Sequence, residues 1–286
     1  MTSFPRPPFY AIIGHPVGHS LSPLMHTTAL KALGLPGDYV AVDVESSSLA
    51  QHVRELVEQG CAGFNVTIPH KQTIIPFLSE VDEEAMAIGA VNTVVVEHGS
   101  LRGYNTDVYG FQKSLEPFAG RIRDKNVVLL GTGGGARAAV RCLLKNFQPR
   151  SLTLVARTFQ RGQALARALD PNIPYRIITF HDNTLQKHLH DASLIVNATP
   201  VGMTPNITAS PLPSSTSFHR DQIVFDLIYS PLQTTLLKSA ASFGATIVNG
   251  LEMLIHQGAK AFELWTGKPM PIEVVRKALD ERLRAG

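Results

Sequence analysis

Through the first hundred residues, short apolar runs alternate with stretches whose apolar residues recur every three or four positions. That arrangement builds a parallel sheet with crossover helices. Phe9 to Gly14, Asp38 to Val44 and Cys61 to Val66 are predicted as strands, with amphipathic helices at Leu24 to Leu33 and Leu49 to Val57. A second series opens at Asn126, where Val127-Val128-Leu129-Leu130 runs into Gly131-Thr132-Gly133-Gly134-Gly135-Ala136 and then a helical stretch rich in Ala, Arg and Leu. Its later strands are predicted at Leu152 to Val155, Tyr175 to Ile178, Leu194 to Val196 and Ile223 to Asp226. From Gly250 the strand pattern stops, and two helices are predicted, Leu251 to Trp265 and Pro271 to Arg284. The segment Thr204 to Ser217, heavy in Pro, Ser and Thr, reads as a long surface loop.

At roughly 150 residues per domain, 286 residues make two domains, each long enough to bury a core. The fold class is α/β: an N-terminal α/β domain over residues 1–106, a doubly wound domain over 107–244, and C-terminal helices over 245–286 that complete the first. With 44% hydrophobic and 17% charged residues the chain is too apolar to be disordered. No window approaches the roughly 18 uninterrupted apolar residues of a membrane-spanning helix. A net charge of +3 without a long basic run leaves no electrostatic footprint for nucleic acid, so small molecules are the expected partners of a monomer or homodimer. The N-terminal residues carry Arg6 and three prolines but no apolar stretch, which is not the pattern of a secretory signal. Cys61 and Cys142 form neither a disulfide framework nor a metal or redox pair, which fits a reducing, cytoplasmic setting. No metal site is expected: His15 and His19 are four apart but flank Pro16 and Gly18, which excludes a shared helix face.

The turn Gly131 to Ala136 matches G-x-G-x-x-G/A, between an apolar strand and a helix. Small residues let the backbone turn tightly and approach a pyrophosphate, whose charge sits at the helix N-terminus. A glycine-rich loop serving only close packing is the competing reading. An NAD site would carry Asp or Glu about 20 residues further on. Here the second strand ends Val155-Ala156-Arg157-Thr158-Phe159-Gln160-Arg161, with two arginines and no carboxylate. A guanidinium fork suits a ribose 2′-phosphate. At about 1.5–3 kcal/mol per charged hydrogen bond, it favours NADP over NAD by roughly ten- to a hundredfold. Without the upstream turn, Arg157 and Arg161 read as ordinary solvated charges.

Uncharged polar residues and single charges gather at the ends of the early strands. Ser20-Leu21-Ser22-Pro23 opens a helix, with Ser22 as the expected N-cap and Ser20 left to donate to an anionic ligand. Asn65 and Thr67 end one strand, with Lys71 just inside the helix expected after it; Asn92 and Thr93 close the stretch Ala90-Val91-Asn92-Thr93, and Asp107 precedes a helix starting near Val108. Singly each has a structural reading, Asp107 for instance as a first-turn acid favourable to the helix dipole. Together they are what a site for a polyhydroxylated carboxylic acid contains, at the strand ends where open α/β sheets bind ligands.

These segments stand in the order of a known family. Gly14-His15-Pro16, Ser20-Leu21-Ser22-Pro23, Asn65-Val66-Thr67-Ile68-Pro69-His70-Lys71, Gly89-Ala90-Val91-Asn92-Thr93, Gly103-Tyr104-Asn105-Thr106-Asp107, Asn197-Ala198-Thr199-Pro200-Val201-Gly202-Met203 and Gln257-Gly258-Ala259 make the chain resemble the shikimate dehydrogenase family over essentially its whole length. The resemblance implies a substrate domain, a Rossmann-type NADP-binding domain, and NADPH-dependent reduction of 3-dehydroshikimate to shikimate in aromatic amino-acid biosynthesis. It implies Ser20 and Ser22 for the substrate carboxylate, and Asn65, Thr67, Lys71, Asn92, Asp107 and Gln257 for the ring hydroxyls and reacting carbonyl. For the cofactor it implies Gly131, Thr132, Gly133, Gly134, Gly135 and Ala136 under the pyrophosphate, and Arg157, Thr158 and Arg161 at the 2′-phosphate. Thr199, Tyr229, Gly250 and Met253 fall near the ribose or nicotinamide end, with Tyr229 also counted among the substrate positions. Ala156, Thr27 and Pro200 stand where the family usually has Asn, Asn and Ser.

The catalytic pair is Lys71 and Asp107: Lys71 is expected to stabilise the developing alkoxide and supply a proton, with Asp107 orienting it and balancing its charge, and the sequence leaves either of the two as the formal proton donor. A quinate or quinate/shikimate dehydrogenase is the nearest competitor; Ser20, Ser22 and the two arginines lean towards shikimate and NADP. A non-catalytic nucleotide-binding regulator of the same fold is the competitor from another class, and it has no reason to keep Lys71 with Asp107.

Overall fold

The computed structural model describes residues 4–167 and 174–285. The chain divides into two compact units, one running through Asp107 and resuming at Ile255, the other spanning Val108–Leu254.

The first unit contains β1 (Phe9–Gly14), α1 (Ser22–Ala32), β2 (Asp38–Asp43), α2 (Leu49–Glu58), β3 (Cys61–Val66), β4 (Glu80–Val81), α3 (Glu83–Ile88), β5 (Thr93–Glu97) and β6 (Ser100–Tyr104). The sheet order is β2-β1-β3-β5-β6-β4. β1 lies parallel to β2 and β3, as expected, but β5 and β6 form an antiparallel hairpin beside β3, so the sheet is mixed and not parallel throughout. The hairpin turns at His98 and Gly99, both with positive φ, which is the two-residue geometry that fits strand twist. Alternate residues of β1 point to one core: Phe9, Ala11 and Ile13 meet Phe64 and Val66 of β3 and Leu49, Val53 and Leu56 of α2. The i, i+4, i+7 spacing of those three α2 residues puts them on one helix face. Each large apolar side chain so buried contributes about 1.5–3 kcal/mol.

Two local expectations differ from what is observed. The chain before α1 is already turned at Leu21, so Ser22 lies within the helix. The hydroxyl of Ser20, not that of Ser22, meets the helix start, accepting the Ser22 N–H at 3.2 Å. Lys71 does not lie in a helix. Residues 68–74 form successive turns that end in a short 3-10 stretch, Ile75–Phe77, because Pro76 supplies no N–H to continue them.

The second unit begins within α4 (Asp107–Leu115) and continues through α5 (Ala119–Ile122), β7 (Asn126–Leu130), α6 (Gly134–Cys142), β8 (Ser151–Ala156), α7 (Phe159–Ala166), β9 (Tyr175–Thr179), α8 (Leu185–Asp191), β10 (Leu194–Asn197), β11 (Ile223–Asp226), α9 (Thr235–Ser242) and β12 (Thr246–Val248). Its sheet, β12-β11-β10-β7-β8-β9, is parallel in every pairing. Read from β9, the order is 3-2-1-4-5-6, the doubly wound dinucleotide arrangement, with the order reversing between β7 and β10. β12 has no counterpart among the expected strands. Because it pairs with β11, residues 245–254, expected with the C-terminal helices, lie with this unit. The segment 204–217 is not merely a surface loop, since Leu212 is buried in the core with Phe218 and Gln186 Nε2 donates to the buried Thr216 at 3.2 Å.

The chain returns to the first unit along α10 (Leu251–Thr266) and ends with α11 (Ile272–Ala285), which packs on α1. Trp265 of α10 stacks on Tyr10 and donates its indole N–H to Val94 O at 2.9 Å. Gly63 makes room for it, because a Cβ there would lie 2.2 Å from Trp265 Nε1. Among the described residues no helix is long and apolar enough to cross a membrane.

Candidate active site

In the first unit, the turns after β3, the start of β5, the loop after β6 and helix α10 bring four of the expected residues together. Lys71 Nζ lies 2.5 Å from Asp107 Oδ2, with both side chains largely buried. Asn92 Nδ2 lies within hydrogen-bond distance of three acceptors, Asp107 Oδ1 at 2.9 Å, Thr106 Oγ1 at 3.0 Å and Gln257 Oε1 at 3.2 Å. Its Oδ1 accepts the Thr106 N–H at 2.7 Å and the Thr93 hydroxyl at 3.0 Å. Asn105 holds the base of the arrangement, accepting the Asp107 N–H at 3.1 Å and donating to Ala90 O at 2.8 Å. The carbonyl of Lys71 accepts the Val91 N–H at 2.7 Å, which ties the lysine turn to the Asn92 strand.

Asn65 joins this network from β3. Its Nδ2 donates to Asn92 O and Thr93 Oγ1, both at 3.1 Å, and its Oδ1 accepts the Tyr39 hydroxyl at 2.7 Å. Both amide protons are thus engaged, and the remaining lone pair on Oδ1 suits a ligand hydroxyl as donor. Tyr39 stacks on His26 with ring centroids 4.5 Å apart. Burial pushes the His26 pKa down to about 3. Thr67 turns its methyl towards Gly14, where a Cβ would lie 2.3 Å away. Ser20 and Ser22 form a separate pair at the start of α1, with Ser22 buried. The supporting residues Tyr39, Thr93, Asn105 and Thr106 were not singled out for roles by sequence reasoning. The last three lie inside the motifs noticed, whereas Tyr39 reads only as a strand residue.

In the second unit the glycine turn leaves β7 at the switch point. Gly131 has φ +106, and a Cβ on it would lie 3.0 Å from both Ala198 O and Thr199 Cγ2. Gly133 opens onto free space, with nothing within 4 Å of a Cβ, and α6 begins next to it with no side-chain cap. Thr132 lies partly exposed on the turn, Gly134 starts α6, Gly135 faces Leu227, and Ala136 is fully buried. A bare, uncapped turn of this shape fits the pyrophosphate of a dinucleotide. Arg157, Thr158 and Arg161 are exposed at the end of β8 and the start of α7. Thr158 occupies the N-cap position without using its hydroxyl as a cap. Two guanidinium groups and a hydroxyl suit a 2′-phosphate. Gly250 lies against the chain after β11, where a Cβ would be 2.1 Å from Leu227 O. Thr199 bonds to Asn197, Tyr229 is half-buried, and Met253 is buried in α10. No group of three or more His, Cys, Asp or Glu able to hold a metal occurs among the described residues.

Three family descriptions match the chain: "Shikimate dehydrogenase substrate binding domain" over residues 12–94, "Shikimate / quinate 5-dehydrogenase" over 113–228 and "Shikimate 5'-dehydrogenase C-terminal domain" over 250–279. A shikimate dehydrogenase (NADP(+)) of Methanocaldococcus jannaschii is 42% identical, with 95% of this chain and 96% of that one covered. One from Methanopyrus kandleri is 45% identical, with 96% and 95% covered. The crystal structure of shikimate 5-dehydrogenase from Thermus thermophilus in complex with NADP(H) and shikimate superposes with a TM-score of 0.83 at 38% identity, covering 96% of this chain and 99% of that one.

Proposed function

The chain belongs to the shikimate dehydrogenase family, and from that premise we propose that it is an NADP-dependent oxidoreductase that reduces 3-dehydroshikimate to shikimate, reversibly, in aromatic amino-acid biosynthesis. The observation that carries this reading is the convergence of Lys71, Asp107, Asn92 and Gln257 in one buried polar cluster. A purely structural core would have little use for an ammonium paired with a carboxylate that the Asn92 amide also holds, because desolvating both charges costs several kcal/mol per ion.

Lys71 stands as the donor for the oxygen that gains negative charge, stabilising it and giving it a proton. Asp107, held through its other oxygen by Asn92, balances the lysine and fixes its direction. Asn65, Thr67, Asn92 and Gln257 read the ring hydroxyls, Ser20 and Ser22 the carboxylate, and Tyr229 a further face of the substrate. When bound, NADPH supplies the hydride. The turn Gly131 to Ala136 would hold its pyrophosphate, Arg157, Thr158 and Arg161 its 2′-phosphate, and Thr199, Gly250 and Met253 its ribose and nicotinamide end. Its compartment is proposed to be the cytoplasm, where the buried thiols of Cys61 and Cys142 stay reduced.

The test follows the absorbance of NADPH, and separately of NADH, with 3-dehydroshikimate, then runs the reverse reaction with shikimate and with quinate. Rapid oxidation of NADPH with quinate inert is expected. Turnover of quinate with NAD would assign the chain to the quinate branch of the family, and binding of NADPH without any turnover would leave a regulator.

A further inference from the structure

The chain segments that follow β10 and β11 are both governed by one carboxylate. Asp226, the last residue of β11, is fully buried. Its Oδ1 accepts from Asn197 Nδ2 at 2.9 Å and from the Ile228 N–H at 3.1 Å, and its Oδ2 accepts the Thr234 hydroxyl at 2.7 Å. Thr234 is itself the N-cap of α9 and accepts the Leu237 N–H, so its single proton points at the carboxylate. Three donors therefore converge on the two carboxylate oxygens, and all three are met without reversing the Thr234 hydroxyl. An asparagine would turn N–H groups towards one of them.

Both arms reach stretches assigned above to the cofactor. Asn197, also fully buried, accepts the Thr199 N–H at 3.0 Å and the Thr199 hydroxyl at 2.7 Å. Thr199 Cγ2 and Ala198 O are the atoms against which the bare Cα of Gly131 packs. On the other arm, Ile228 O accepts the Gly250 N–H at 2.9 Å, and Leu227 O closes on the Cα of Gly250. Gly131 and Thr199 on one arm and Gly250 on the other, far apart in sequence, are thus linked through Asp226. Stability alone does not account for this choice. Burial pushes the Asp226 pKa up to about 6 even with three donors on it, so the ionised group is held at a cost.

We propose that Asp226 is a positioning residue of the cofactor site: through Asn197 and the Ile228 amide it fixes the spacing of Thr199, the glycine turn and Gly250 to which NADPH binds. This rests on the assignment of those stretches to the cofactor. The test titrates the full chain and two variants, Asp226→Asn and Asn197→Ala, with NADPH by nucleotide fluorescence, and follows residue-level amide exchange without nucleotide. The dissociation constant is expected to rise about tenfold in each variant, the scale of one lost charged hydrogen bond, and in the double variant by less than the product of the two. Exchange should quicken at Thr199, Ile228 and Gly250 while β7 and β10 keep their protection. NADPH affinity within twofold of the parent, or exchange that quickens equally through the whole unit, would overturn the proposal and leave Asp226 a stability element. If Asp226→Asn does not fold, Asn197→Ala, which keeps the carboxylate, carries the same test. A parent chain that does not bind NADPH contradicts the cofactor assignment instead, and the exchange pattern still decides whether Asp226 couples the three stretches.

Discussion

Replacing Lys71 with methionine removes the ammonium and keeps most of the apolar stem, so the change isolates the charge. In the parent, Asp107 is engaged by Lys71 at 2.5 Å on Oδ2 and by Asn92 at 2.9 Å on Oδ1. The variant leaves the carboxylate, whose side chain is 6% exposed, with the Asn92 amide alone on its oxygens. Breaking a buried pair in this way costs about 3–5 kcal/mol, and the partial exposure of Lys71 and the surviving Asn92 bond place this case at the lower end. A positioned proton donor is worth about 10²–10⁴ in rate, or roughly 3–5 kcal/mol of barrier. Steady-state kinetics at a temperature where urea titration shows the variant folded should therefore give kcat lower by at least about a hundredfold, with KM for 3-dehydroshikimate within a few fold. The additional change Asp107→Asn should restore much of the lost stability and none of the rate, because it removes the unpaired charge without replacing the donor. A variant with the parent kcat and only a raised KM would show that Lys71 binds substrate and does no chemistry.

Other outcomes follow from the same geometry. Arg157→Ala with Arg161→Ala should weaken NADPH binding by roughly ten- to a hundredfold and leave NADH binding unchanged, measured by fluorescence titration; equal losses for both would place the arginines away from the 2′-phosphate. His26 is neutral in the fold with its pKa near 3, against an ordinary value of 6.5, so its contribution is intact above about pH 6.5 and is lost as pH falls towards 3. About three pKa units correspond to an acid destabilisation of roughly 4–5 kcal/mol, and His26→Phe, which keeps the stack on Tyr39, should flatten the stability curve between pH 6 and 4 in denaturant titrations. An unchanged slope would show that His26 finds a partner when protonated.

Much of this architecture is legible in the amino-acid order alone. The strands Phe9–Gly14, Cys61–Val66 and Ile223–Asp226 appear at the residues their apolar runs mark, because each is a short buried strand bounded by turn residues. The β5–β6 hairpin was not legible: Val94, Val95 and Val96 show no alternation, and His98-Gly99 is not one of the strong two-residue turn signals. β12 escaped because it is three residues long and half-buried at a sheet edge. Lys71 after Pro69 has the look of a helix start, a reading that Pro76 undoes five residues later. At the site, local pattern does not join Asn92 to Gln257, which are 165 residues apart and share one hydrogen bond; only the family resemblance puts both at the substrate. Asp226 reads only as the end of a strand, since nothing local reveals that three donors converge on it.

If the Lys71 cluster holds the reacting end of the substrate, a crystal structure with shikimate bound will show a ring hydroxyl within hydrogen-bond distance of both Lys71 Nζ and Asp107, a second ring hydroxyl on Asn65 Oδ1, and the carboxylate at Ser20 and Ser22. Shikimate bound with its ring away from Lys71, or with its carboxylate against the lysine, would contradict it.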